Sequence, residues 1–257
     1  MTQLEALNID FNEQFPHLSK APITEAVIEI RGRASLPWDE KTILENLKAE
    51  LPDYPKQKSG RVQQFEVNPE KEQKVIVRDL GWQGLDITSA DQKYISKFNM
   101  NFFSLSRLAP YENWDRFKDE MKRLWNIHYK LAVPLEIQRL GVRFINRIEI
   151  PDENVHLRDY LQGFSSGIPA IKLDLNGFLH HDIFTVPNYS YMMNVIKTIQ
   201  PKTPTNNRAL ILDIDVFTQQ PIEVNDDIID KKLRDLHWLK NKIFFSIITS
   251  QLITQLK

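Results

Sequence analysis

The sequence predicts an α+β fold in which one order of elements, strand, helix, several strands, helix, is used twice. Three observations lead there. Each half opens on a charge-striped strand, strand-like segments follow, and each half closes on a long helix. Such an order implies antiparallel sheet with helices packed on one face, and in tandem a curved sheet about a pseudo-twofold axis. The expected halves are residues 1–133 and 134–257.

The first striped strand is Pro22-Ile-Thr-Glu-Ala-Val-Ile-Glu-Ile-Arg31. Side chains alternate along a strand, so Glu25, Val27, Glu29 and Arg31 share a face, and Thr24, Ala26, Ile28 and Ile30 form the apolar one. Pro37-Trp-Asp-Glu then signals a helix start, with the helix running to about Leu51 before Pro52. A Pro/Lys-rich loop is expected at Tyr54–Gly60. Strand-like segments follow at Val62–Val67, at Lys74–Leu80 with Leu85–Thr88, and at Lys93–Leu105. Pro110-Tyr-Glu-Asn-Trp114 begins the closing helix, where Asn113 or Glu112 is the expected cap. Its apolar positions, Trp114, Phe117, Met121, Leu124 and His128, recur at helical spacing.

The second half opens on Pro134-Leu-Glu-Ile-Gln-Arg-Leu-Gly-Val-Arg-Phe-Ile-Asn-Arg-Ile-Glu-Ile150. One face carries Arg139, Gly141, Arg143, Ile145, Arg147 and Glu149; the other carries Leu140, Val142, Phe144, Ile148 and Ile150. A short helix is expected around Val155–Leu161, with strands at Ile171–Leu175, Phe178–Val186 and Ala209–Thr218. A long helix should start near Asn225 and continue almost to Lys257.

Composition narrows the chemistry. The chain has 257 residues, 42% hydrophobic and 26% charged, enough apolar content for a sizeable core. Its formal charge of -1 supplies no global attraction to nucleic acid or acidic membrane. Cysteine is absent, which excludes disulfides, thiol catalysis and cysteine-ligated metals. The opening residues lack the basic region of a secretory signal. The uncharged stretch Ile243–Leu256 is too short and polar to span a bilayer, so a cytoplasmic protein is expected.

The candidate binding residues are the striped faces: Glu25 and Glu29 on the first strand, Arg139, Arg143 and Arg147 on the second. Arginines of this kind grip phosphate or carboxylate bidentately. They equally form cross-strand ion pairs with glutamates when two such strands meet, and these arginines have ready partners. The favoured reading is an ion-pair seam joining the halves, with ligand binding left to any unmatched arginine. An enzymatic alternative is metal-dependent phosphate chemistry of the triphosphate-tunnel or nucleotidyltransferase kind. It would use Glu25, Glu29, Asp213 and Asp215 with Arg143 and Arg147. Asp213 and Asp215 share a strand face ~7 Å apart and could hold a hard cation. Against it, Val27 stands where a tunnel enzyme wants a carboxylate, and no Gly-Ser loop precedes a helix. Alternating acids more commonly mark the wet face of a half-buried strand. Asp174 and Asp86 are similar single acids.

His180 and His181 are adjacent and so face opposite ways; His128 and His237 read as packing histidines beside tryptophans. No metal-ligand spacing, nucleophile elbow or phosphate loop occurs, and no cofactor is expected. Gly163–Gly167 reads as a loop. Lys56, Lys58 and Arg61 beside Tyr54 offer fewer cations and stacking platforms than a nucleic-acid site wants. The expected partner is another protein or a second copy of the chain.

Four segments together, Pro22-Ile-Thr-Glu-Ala-Val-Ile-Glu-Ile, Pro110-Tyr-Glu-Asn-Trp, Arg139-Leu-Gly-Val-Arg-Phe-Ile-Asn-Arg-Ile and His237 with Phe244-Phe-Ser-Ile-Ile-Thr249, resemble the bacterial "sporadically distributed" family. The resemblance covers most of the chain. It implies a bacterial cytoplasmic protein and brings no catalytic residues to carry over. Patchy distribution of this kind accompanies mobile or defence loci, including phage-defence and toxin–antitoxin systems, by association rather than mechanism.

Overall fold

The computed structural model describes residues 7–67, 75–150, 156–163, 177–203 and 207–257, with side chains at 62–80 excepted. The expected strand at Ile171–Leu175, with Asp174, and most of the loop after Gly163 lie outside the described residues. The fold is α+β, and the described residues form a nine-stranded antiparallel sheet and four α-helices. The strands are β1 (Ile23–Arg31), β2 (Lys56–Val67), β3 (Val75–Thr88), β4 (Tyr94–Asn99), β5 (Phe102–Leu108), β6 (Arg139–Glu149), β7 (Leu179–Thr185), β8 (Tyr191–Gln200) and β9 (Ala209–Thr218). The helices are α1 (Glu40–Glu50), α2 (Trp114–Ala132), α3 (Asp226–Ile247) and α4 (Ser250–Leu256). Hydrogen bonding orders the sheet β2-β3-β4-β5-β1-β6-β9-β8-β7. No helix among the described residues is long and apolar enough to cross a membrane.

Every helix starts where a polar side chain satisfies backbone donors that the first turn leaves open. Asp39 accepts from Thr42 N–H at 2.9 Å, Asn113 from Arg116 N–H at 2.9 Å, and Thr249 from Leu252 N–H at 3.2 Å. Asn225 accepts from both Asp227 and Ile228. Asn113, of the two candidates, is therefore the cap of α2.

Several expectations are corrected. β2 begins at Lys56, inside the supposed loop, because Lys56–Gly60 pairs in register with Gly84–Thr88 of β3. Lys93–Leu105 is two strands: Asn99 Oδ1 accepts from Asn101 N–H at 2.9 Å and turns the chain between β4 and β5. β8 was not expected at all. Around Val155–Leu161 the described residues hold a single 3-10 turn, Leu157–Asp159. The last helix is interrupted at Ile248, whose extended backbone (φ -81°, ψ 151°) forms a bridge with Leu161 before Thr249 starts α4.

The chain forms two compact units. One consists of Glu29–Arg107 and Glu112–Gln138. Its core sets Phe117, Met121, Leu124 and Trp125 of α2 with Ile43 and Leu47 of α1 and Leu85, Ile87, Phe98, Phe103 and Leu105 of the strands. His128 sits in this core as expected of a packing histidine. Trp38, Phe98, Phe103 and Trp125 surround its ring at 5.4–5.7 Å, and its Nε2 lies 3.0 Å from Asn99 O.

The other unit consists of the chain up to Ile28, Leu108–Tyr111, and Arg139 onward. Here α3 packs on β6 and β9. Ile229, Leu233, Leu236 and Leu239 of the helix are buried with Leu140, Val142, Phe144, Leu212, Ile214 and Val216. The start of β1 joins β6 through Arg147 N–H to Pro22 O at 2.8 Å and Thr24 Oγ1 to Ile145 O at 3.0 Å.

Candidate functional site

The outward residues of β6 and β9 oppose one another by register: Gly141 lies across from Phe217, Arg143 from Asp215, Ile145 from Asp213 and Arg147 from Ile211. The two constellations that the sequence keeps apart, the arginines and the aspartates, are therefore one. Arg143 takes Asp213 side-on, Nε to Oδ1 at 2.9 Å and Nη2 to Oδ2 at 2.5 Å. Arg139 Nη2 holds both oxygens of Asp215, at 2.9 and 2.7 Å. To get there its guanidinium crosses the Phe217 ring, 4.2 Å from the centroid. Asn194 of β8 adds a longer bond to Asp215 at 3.4 Å.

Arg147 spreads its guanidinium over Glu149 (2.7 Å), Asn207 O (2.7 Å) and Gln200 (3.3 Å). All three arginines lean toward the carboxyl end of β6, so the face is a ladder of closed pairs rather than a row of free cations. Neighbouring carboxylates raise the pKa of Arg143, through the Asp213 hydrogen bond first and then through the charges of Asp213, Asp215 and Glu25. Arg143 stays charged at any pH the fold survives.

Glu25 faces Arg143 closely enough to contribute to that field, yet among the described residues it makes no hydrogen bond or ion pair. The expected direct pairing of Glu25 with an arginine is corrected accordingly: β9 supplies the carboxylates that hold Arg139 and Arg143. Glu29 accepts from Arg31 Nε at 2.7 Å, two residues along its own strand. Asp213 and Asp215 spend their oxygens on guanidinium, and the described residues contain no cluster of three or more metal-ligating side chains. His180 lies across from Lys197 and His181 across from Ile196, on alternate faces of β7.

Asn194, Gln200 and Phe217 belong to this site without having been singled out in the sequence. A signal for β8 was present: Met193, Val195 and Ile199 alternate with Asn194, Thr198 and Gln200 after the turn residues Pro187-Asn188. The register carries the ladder across the sheet. The row Arg143–Asp215–Asn194 ends at Ile183 of β7, and the row Arg147–Ile211–Thr198 ends at Leu179. Ile183 is 60% exposed and Leu179 70%. Arg143, at 47% side-chain exposure, keeps its Nη1 clear of any protein hydrogen bond among the described residues, while Asp213 beneath it is only 10% exposed. The face thus combines an immobilised, half-exposed guanidinium with an apolar rim.

No protein-family model matches the chain, and no curated protein is similar to it at a significant level.

Proposed function

We propose that the chain is a non-enzymatic binding module whose partner, another protein or a second copy, docks on the outer face of β6, β9, β8 and β7. The observation that carries this reading is the single register in which rows begin at the ion-paired arginines Arg143 and Arg147 and end in exposed Ile183 and Leu179. Protein interfaces favour arginine and apolar anchors within a charge-balanced surround. Nucleic acid would call for unmatched cations instead. The strand order supports a tandem reading of the halves: β1 neighbours β5, the last strand of its half, and β6 neighbours β9, the last strand of the other. The resemblance to the "sporadically distributed" family adds a bacterial cytoplasm, with a phage-defence or toxin–antitoxin locus, as the setting for such a module.

Cysteine is absent, so one introduced cysteine is a unique handle. The test places a benzophenone on Ile183→Cys and irradiates in an extract of the source cells. A discrete adduct is expected, of twice the chain mass for a second copy or another mass for a different protein. It should disappear when Arg143→Glu is added, and should not form from Lys48→Cys on exposed α1. Equal labelling from both positions, or none from Ile183→Cys, rejects the reading.

A further inference from the structure

β7 is the last strand of the sheet, and among the described residues no strand pairs with its outer edge. The direction of its backbone groups follows from one bond. Val186 N–H donates to Tyr191 O at 2.9 Å, in the same register that sets Thr185 across from Met192 and Leu179 across from Thr198. Along an antiparallel strand, residues alternate between bonding the neighbouring strand and facing away from it. Phe184, Asp182 and His180 therefore bond β8, while the N–H and C=O groups of Thr185, Ile183, His181 and Leu179 point away from it, toward the edge.

Edge strands of native proteins are commonly guarded by lysine, proline or a bulge. Leu179-His-His-Asp-Ile-Phe-Thr185 has no lysine or proline, and its pairing with β8 runs without a register shift. It is apolar where it is exposed. Leu179, Ile183 and Phe184 are three of the seven exposed large hydrophobic side chains among the described residues, so this short strand concentrates them. Its carboxylate, Asp182, is ion-paired with Lys197 at 2.9 Å and still 41% exposed. A carboxylate in that position can accept a further donor.

We propose that the edge of β7 pairs antiparallel with β7 of a second copy, about a twofold axis at His181. Such an axis keeps the sheet faces matched, so it sets one residue of the strand opposite its own counterpart. With His181 in that place, Leu179 lies opposite Ile183, His180 opposite Asp182 and Phe178 opposite Phe184, each pair occurring twice. Apolar residues meet apolar ones, and an imidazole meets a carboxylate, the cross-strand pairs that stabilise a sheet. The neighbouring registers fail on the same count. Centring on Asp182 opposes two like charges and sets His180 against Phe184; centring on His180 sets Asp182 against Phe178. Because Leu179, His181 and Ile183 carry the edge-directed groups, the central pair and the two Leu179–Ile183 pairs are the hydrogen-bonded ones. This contact goes beyond docking on the outer face, since it uses the backbone of β7 and does not involve Arg143.

The test is sedimentation equilibrium of the purified intact chain up to about 100 μM, where twice the chain mass is expected. Ile183→Lys, an edge guard at an exposed position, should sediment as a monomer with an unchanged circular dichroism spectrum. His181→Cys fixes the register independently of that variant. Its two thiols would lie at the axis, on Cα atoms ~5.5 Å apart, within the roughly 4.4–6.8 Å that a disulfide spans. Mild oxidation should therefore link this chain into a covalent dimer. Thr185→Cys, also exposed, would lie about 27 Å from its counterpart and should stay unlinked. A monomer throughout the concentration range, a dimer that persists in Ile183→Lys, or equal linking of the two cysteine variants would each overturn the pairing. Arg143→Glu, which should abolish docking on the outer face, should leave the dimer intact, so the two readings fail separately. Loss of the dimer in Arg143→Glu would assign the contact to the face and overturn the edge pairing.

Discussion

Gly141 and Arg139, two residues apart on one face of β6, are matched in shape: a Cβ on Gly141 would lie 2.5 Å from Arg139 Nη1 and 3.0 Å from its Cζ. The missing side chain is the channel along which Arg139 runs over Phe217 to Asp215. Gly141→Ala should therefore displace a flexible arginine rather than the backbone, at about 1–2 kcal/mol for the lost charge-assisted bonds. Urea melts of Gly141→Ala, Asp215→Asn and the double variant check this. The second substitution should cost little once the first is present, and full additivity would contradict the coupling.

Arg143 and Asp213 make an asymmetric pair, since the aspartate is far more deeply set than the guanidinium. Arg143→Ala strands a nearly buried carboxylate and should cost about 1–3 kcal/mol. Arg143→Ala with Asp213→Ala removes both charges and should cost less than Arg143→Ala alone. A double variant less stable than either single one would show that the pair contributes net stability rather than register.

Lys240 of α3 is buried with its Nζ 3.8 Å from the Phe144 ring centroid and donating to Asn241 Oδ1 at 2.6 Å. Burial alone pulls its pKa down to about 7. His237 and Tyr111 also pack on Phe144. Between pH 7 and 10.5 the unfolded chain holds this proton and the folded chain does not, so stability rises with pH across that window. Lys240→Met should accordingly raise Tm at pH 7, and the gain should shrink toward pH 10. A gain of constant size across that range would place the proton elsewhere.

His128 has the same sign in a different window. Burial lowers it to about 4, opposed by the hydrogen bond to Asn99. As pH falls from 6.5 to 4 the unfolded chain takes up a proton that the folded chain refuses, removing at most about 3 kcal/mol of stability. Nitrogen chemical shifts of the imidazole in the folded protein should stay neutral down to about pH 4. Titration near 6.5 without unfolding would contradict the cage of Trp38, Phe98, Phe103 and Trp125.

Local chemistry was the legible part of the sequence. Asp39, Asn113 and Asn225 mark helix starts because a cap acts within three residues, and the alternation in β1, β6 and β9 identifies their buried faces. What escaped depends on chain segments far apart. Lys56–Gly60 reads as a loop until Gly84–Thr88 lies beside it, and the β4–β5 turn uses Asn99 and Asn101 in place of glycine or proline. The chemistry of the arginines was legible, but their partners were not. Arg143 and Asp213 are 70 residues apart, and only the strand order brings them together.

Ribosomal synthesis gives the division into units a cost in time. The segment ending at Ile28 shares a unit with residues from Arg139 onward, so its apolar face, Ala26 and Ile28, leaves the ribosome roughly 110 residues before β6 does. At ~5–20 residues per second that face waits about 5–20 s for β6, one of the two strands beside β1. The unit composed of Glu29–Arg107 and Glu112–Gln138 has all its residues in hand by then. Nascent-chain aggregation, and dependence on chaperones, should therefore concentrate on the first strand, and slowing translation before Arg139 should worsen both.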